Sequence, residues 1–116
     1  MRLVLIESPF AGVTPEAWEA NFEYLKQAMR DCLARGEAPF ASHALYPLVL
    51  DDKVRTERML GIEAGLAWGA KAEATVVYAD RGVSPGMTVG ILRAEREGRS
   101  VEYRLLGGAE PKADAT

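Results

Sequence analysis

Apolar and polar residues follow two rhythms along this chain. Leu3 to Glu7 (LVLIE) is a nearly continuous apolar run of strand length, as a strand buried in a parallel sheet requires. After the loop SPFAGVTP, residues Trp18, Phe22, Leu25, Met29, Cys32 and Leu33 recur mostly every three or four positions, which predicts a helix with one apolar face. Thr14 is its expected N-cap, with Pro15 at the first helical position and Glu16 in the first turn, and Arg35-Gly36 is its expected stop. APFA, at 38–41, reads as a short strand beside the first, and SHALYPLVLDD as a long connection. A second helix is predicted from about Val54 to Trp68, with Met59, Ile62 and Leu66 inward. TVVYA, β-branched and unbroken, is the clearest strand. The third helix opens at Ser84 and Pro85, turns Met87, Ile91 and Ala94 inward and stops at Gly98. SVEYRLL, 100–106, alternates Val101, Tyr103 and Leu105 with polar neighbours, as a last strand near a sheet edge would.

Strands alternating with amphipathic helices imply an α/β fold. The expected form is a small parallel sheet of four or five strands with helices on both faces, a flavodoxin- or Rossmann-like three-layer sandwich. Residues 1–106 form one domain in this reading, and 107–116 (GGAEPKADAT from Gly107), small, polar and Pro-containing, form a loose tail. In such sheets the ligand crevice lies beyond the carboxyl ends of the strands. Three loops fall there: SPFAG, SHALYP and DRGVSPG.

Composition narrows the function classes. With 116 residues and 48% hydrophobic positions the chain can bury a core of its own. A net charge of -3, its fourteen Lys and Arg scattered among acids, argues against a nucleic-acid surface. Cys32 is the one cysteine, so no internal disulfide can form, and its place on an apolar stripe favours a buried thiol. His43 is the one histidine, and with no second His or Cys beside it a metal site is not expected. The first apolar run is too short for a signal peptide and no stretch reaches membrane-spanning length, so a soluble cytoplasmic protein is expected.

Four places carry candidate chemistry. In DRGVSPGM, Ser84 directly before a helix offers a hydroxyl and free backbone N–H groups at the positive end of the helix dipole, a setting for phosphate or carboxylate. The alternative is a plain helix cap, with Gly82 and Gly86 shaping the turn. The motif is neither a P-loop nor a dinucleotide fingerprint, since the Lys of the first and the glycine spacing of the second are missing. In ESPFAG, Ser8 ends the first strand and Phe10 either stacks on a planar ring or covers the sheet end. His43 is either a structural residue or a crevice ligand contact. Glu63, in GIEAGLAWG, is either a solvated helix acid or a carboxylate reaching the crevice. Gly90 stands inside the last helix, where Ala would be better by about 1 kcal/mol.

VLIESPF, Asn21, PFASHALYP and VVYADRGVSPGM, in this order and spacing, resemble the nucleoside 2-deoxyribosyltransferase-like family, in particular a small branch found in bacterial and phage genomes. The likeness spans roughly residues 2 to 105. It implies binding of a nucleoside or nucleotide, no metal or organic cofactor, and a homodimer. It also implies cleavage or transfer of the N-glycosidic bond of 2′-deoxynucleosides or their 5′-monophosphates. In the family pattern Ser-x-Gly-x-x-x-Glu, Ser84 and Gly86 match, the Ser helping to hold the 5′-phosphate, but the glutamate nucleophile falls on Gly90. A base-contacting acid of the preceding helix aligns near Gly65. Either the standard glycosidase activity is lost or another acid, Glu63 or Asp80, serves as the catalytic carboxylate; Arg93 is a further source of positive charge. The resemblance and the crevice together give ligand-binding candidates Ser8, Pro9, Phe10, His43, Arg81, Ser84, Gly86 and Met87. A binding module, an N-glycosidase or deoxyribosyltransferase with relocated carboxylates, and a non-catalytic oligomeric scaffold all stay open at this point.

Overall fold

The structure, a computed structural model, describes residues 1–10 and 14–107. Its elements run β1 (Arg2–Glu7), α1 (Pro15–Ala34), β2 (Glu37–Phe40), α2 (Ser42–Leu45), a 3-10 turn (Tyr46–Leu48), α3 (Arg55–Gly69), β3 (Ala74–Tyr78), α4 (Pro85–Arg96) and β4 (Ser100–Arg104). The strands form one parallel sheet in the order β2-β1-β3-β4, with helices on both faces. The expected α/β architecture is therefore present, with β2 beside β1 and β4 at an edge. The segment expected to be a loose tail lies, from residue 108 on, outside the described residues, as do 11–13 of the first loop. Among the described residues no helix is long and apolar enough to cross a membrane.

Alternate residues of the central strands feed two cores. Val4 and Ile6 of β1 with Ala74, Val76 and Tyr78 of β3 pack under Tyr24, Leu25, Ala28 and Cys32 of α1. Val77, on the other face, meets Met87 and Ile91 of α4 with Val101 of β4. The α4 face is the expected one, and Ala94 is buried with it. On α1 the packed stripe is rotated from the expected one. Trp18 and Leu33 are exposed, while Tyr24 and Ala28 are buried, because the Tyr24 hydroxyl has a partner across the sheet end.

The second helix departs further. Met59 and Ile62, expected inward, are exposed, and α3 approaches the sheet through Gly65 and Gly69. A Cβ on Gly65 would stand 2.6 Å from Ser42 Oγ, so nothing larger than glycine fits without displacing α2. The connection after β2, expected only to be long, contains the single turn α2 and the 3-10 turn. Neither turn has a side-chain cap, and both are too short for any periodicity to announce them.

A buried charge network was also unexpected. Arg104 of β4 grips Glu37 of β2 with two bonds, Nη1 to Oε1 at 2.7 Å and Nη2 to Oε2 at 2.8 Å, joining the two edge strands. The same guanidinium donates to the Tyr78 hydroxyl at 3.2 Å, which in turn donates to Asp31 at 2.7 Å. Alternation had turned Tyr103 and Leu105 inward, yet Tyr103 is half exposed and it is Arg104 that is buried. Removing one partner of such a pair strands the other charge. Arg104→Met is expected to lower the unfolding free energy by about 3 kcal/mol, and Glu37→Leu/Arg104→Met to recover most of it. Urea unfolding of the three chains checks this, and a double variant no better than the single one would contradict it.

Candidate functional site

Parallel strands deliver their carboxyl ends to one side, so the loops after β1, β2 and β3 open on the same end of the sheet. Side chains then tie these loops together. Ser8, buried at the end of β1, lies 2.9 Å from Nε2 of His43 on α2. Phe10 sets its ring at a steep angle to His43, centroids 5.4 Å apart, and edge-on to Trp18 at 5.2 Å. Asn21 of α1 donates to the Phe10 carbonyl at 3.3 Å, and its Oδ1 accepts from Arg81 at 3.3 Å, so one α1 side chain reaches both the first and the third loop.

The third loop is held by Asp80. Its carboxylate accepts from the Tyr24 hydroxyl at 2.6 Å and from the Leu106 amide at 3.0 Å, while its own amide donates to Tyr24 at 3.0 Å. Arg81 lies over the Tyr24 ring, 4.7 Å from its centroid. Ser84 caps α4: its Oγ accepts from the Met87 amide at 3.3 Å, and its own amide donates to Met87 Sδ at 3.4 Å. Met87 is buried in the core under α4, whereas Gly86 is exposed with open space around it. Pro9 is partly buried beside Ser8.

Glu63 is placed elsewhere. Two helical residues are about 200° of rotation, so with Gly65 turned to Ser42 the Glu63 side chain points to solvent. Among the described residues no hydrogen bond or ion pair reaches it. Ser8, Phe10 and His43 thus come into direct contact, Arg81 is linked to Phe10 through Asn21, and Ser84 and Met87 form the α4 entrance. Asp80 serves as an anchor of that framework.

The residue that sequence reasoning passed over is Glu7. It ends β1 and turns to the face of the sheet that carries α4, where a Cβ on Gly90 would fall on Glu7 Oε2, 2.5 Å from Cδ and 3.0 Å from Oε1. The glycine in the helix is therefore the counterpart of a carboxyl group arriving from the strand. The available signal was an acid closing a buried strand, one position from the loop of interest. No described side chain hydrogen-bonds Glu7; burial pushes its carboxyl up to about 8, against a smaller opposing pull from Arg99. Burial also drives His43 down to about 4, so its imidazole is neutral at pH 7 and offers one donor and one acceptor. Among the described residues no group of three His, Cys, Asp or Glu stands close enough to hold a metal ion.

Residues 2–104 match the model of a family described as a domain of unknown function, DUF7768. The chain belongs to this family. No curated protein sequence matches the DUF7768 chain. Among solved structures it is similar to the 2-deoxyribosyltransferase from the psychrotolerant bacterium Bacillus psychrosaccharolyticus, with a TM-score of 0.65 at 16% identity. The match covers 98% of this chain and 80% of that one. At that identity the likeness establishes a shared fold, as the sequence motifs implied.

The two shifted groups pull stability in opposite directions. Between about 6.5 and about 4 the unfolded chain binds a proton at His43 that the folded chain refuses, so stability falls as pH drops through this window. Between 4.5 and about 8 the folded chain keeps a proton at Glu7 that the unfolded chain releases, so stability falls as pH rises. Glu7→Gln removes the second slope. Relative to the parent DUF7768 chain, its stability advantage should grow between about pH 5 and about pH 9 in urea titrations, by roughly 1–3 kcal/mol. A constant difference across that range would contradict the assignment.

Proposed function

We propose that this DUF7768 domain binds a nucleoside or nucleoside 5′-monophosphate in the crevice at the carboxyl ends of β1, β2 and β3. The observation that carries this reading is the convergence of three connections through Ser8–His43, Phe10–His43 and Asn21–Arg81. The 2-deoxyribosyltransferase fold adds to it. In this reading the first turn of α4 faces the anionic group through the Gly86 amide and the positive end of the helix, since Pro85 has no N–H and the Met87 N–H is taken by Ser84 Oγ. Phe10 and the neutral His43 flank the base. A ligand that binds only the folded chain stabilises it by mass action, about 2.7 kcal/mol at a hundredfold excess over Kd. A thermal-shift series over 2′-deoxynucleosides, their 5′-monophosphates and sugar phosphates should therefore raise the melting temperature by several degrees for the best ligand. His43→Ala should abolish most of that shift. A flat response to every compound would sink the reading.

A homodimer is the second part of the proposal. Met59, Leu60, Ile62 and Trp68 on α3, with Leu48 and Val49 on the turn before it, are exposed large apolar side chains within one stretch of chain. That much apolar surface is covered more cheaply by a second copy than by water. Light scattering should give twice the 12.6 kDa chain mass, and Leu60→Glu/Trp68→Glu should return the monomer. A monomeric parent chain at high micromolar concentration would refute it.

A further inference from the structure

We infer that the Glu7 carboxyl is a hydrogen-bond donor to the ligand, seated at the end of β1 in space that Gly90 of α4 leaves open and recognising an uncharged acceptor atom of the sugar or the base. The inference rests on the binding reading above and deepens it by naming a residue that selects the ligand.

Three observations carry it. First, the seat is specific. Any side chain at residue 90 would have to begin in the volume that the Glu7 carboxyl fills, and α4 accepts a glycine in its second turn where the carboxyl lies. Second, the fold supplies this carboxyl with no donor. Glu37 is held by Arg104, Glu102 by Arg2 and Arg104, Asp31 by Tyr78 and Arg35, and Asp80 by Tyr24 and the Leu106 amide. Glu7 has no such partner among the described residues. Without a donor beside it the ionised form is the costly one, and the neutral acid keeps an O–H that calls for an acceptor. Third, the carboxyl is not sealed in. Among the described residues every fully enclosed side-chain nitrogen or oxygen has a hydrogen-bond partner, so the unpartnered Glu7 oxygens keep a small opening. Glu7 is the last residue of β1, directly before the Ser8 that meets His43, which puts that opening at the crevice end of the sheet.

The groups packed around the carboxyl keep its proton in place. β3 sets Val77 beside it, α4 turns Met87, Gly90 and Ile91 toward the sheet, and α3 turns Gly65 and Gly69. Arg93 of α4 is drawn to Glu97 at 3.0 Å, and Glu63 of α3 points to solvent. His43 of α2, which meets the adjacent Ser8, is held neutral by its own burial. Arg99 is the one charged group among the described residues whose field reaches Glu7, and it is engaged by Thr75 at 3.0 Å and Glu97 at 2.7 Å. Burial outweighs that field and holds the acid up to about 8, so at pH 7 the crevice presents an O–H here. A hydroxyl or ring oxygen of a sugar, or a carbonyl or ring nitrogen of a base, accepts such a bond without drawing the proton away. If only the protonated form binds, the competent fraction shrinks as pH rises through about 8, and apparent affinity falls with it.

The test measures Kd by titration calorimetry for the parent chain, Glu7→Gln and Glu7→Leu. The probes are 2′-deoxyadenosine and 2′-deoxycytidine, which carry no group that titrates between pH 7 and pH 9. In the parent chain Kd should rise about tenfold across that range. Glu7→Gln, which keeps an N–H donor at every pH, should bind with little pH dependence. Glu7→Leu, which keeps the bulk without the donor, should bind at least about tenfold more weakly than Glu7→Gln at pH 7. A pH dependence common to both nucleosides assigns the acceptor to the sugar they share, and one confined to a single nucleoside assigns it to that base. Binding by the parent chain that does not change with pH overturns the role of Glu7 and leaves the binding reading standing. So does Glu7→Leu binding as tightly as Glu7→Gln, because only the loss of charge would then matter. Should Glu7→Leu fail to fold, the parent and Glu7→Gln profiles decide alone. No binding of either nucleoside at any pH overturns the binding reading, and the inference falls with it.

Discussion

The closeness of α4 to the end of β1 is the constraint around which the crevice is organised. A side chain at residue 90 would have to displace the Glu7 carboxyl from the place where α4 lies against the end of β1, beside the contact of Met87 and Ile91 with Val77. Glycine removes the obstacle, and an acid fills the gap from the other side. The same device recurs on α3, where Gly65 and Gly69 let the helix settle on Ser42 and Leu5. Docking through two glycines, α3 buries little side chain of its own. On α3 the result is visible as a row of large apolar residues left facing outward.

The opposite face works differently. There α1 packs through a broad stripe from Tyr24 to Cys32, and its polar groups reach round the end of the sheet. Tyr24 clamps Asp80, and Asn21 bonds both Phe10 and Arg81. One helix therefore positions two loops that belong to different strands, which keeps the crevice from depending on loop stiffness alone. Asp80 is the hinge of this arrangement: its two oxygens are occupied by groups 56 and 26 residues away in sequence.

The architecture was legible in the sequence because hydrophobic period and turn chemistry agreed for the central strands and for α1 and α4. LVLIE and TVVYA became the two central strands, Thr14-Pro15 and Ser84-Pro85 the two capped helix starts, and Gly98 the stop before β4. The faces of the helices were less legible. Apolar residues at helical spacing mark a stripe, but on α3 the glycines, which carry no hydrophobic signal, make the contact. The charged core was illegible for a related reason. Arg104 and Glu37 look like surface residues until the strand order is known, because they stand on the two opposite edge strands and meet only by reaching across the sheet. The candidate site was half visible. Ser8, His43 and Ser84 stood in loops whose common side follows from parallel strands. Glu7 was read as the end of an apolar run, although Gly90 had already posed the question that its carboxyl answers.

The Arg104–Glu37 grip has a consequence for how the molecule is made. Its two ends are 67 residues apart, and Arg104 belongs to the last described strand. During synthesis β1, α1 and β2 leave the ribosome long before their charge partner does. Glu37 must wait in water, or against Arg2, until β4 arrives to complete the far edge. The segment from β1 to β2 can collapse around its apolar stripe, but its seal is applied by a strand 67 residues further along. Such long-range closure ties the cooperativity of the whole domain to the arrival of one guanidinium.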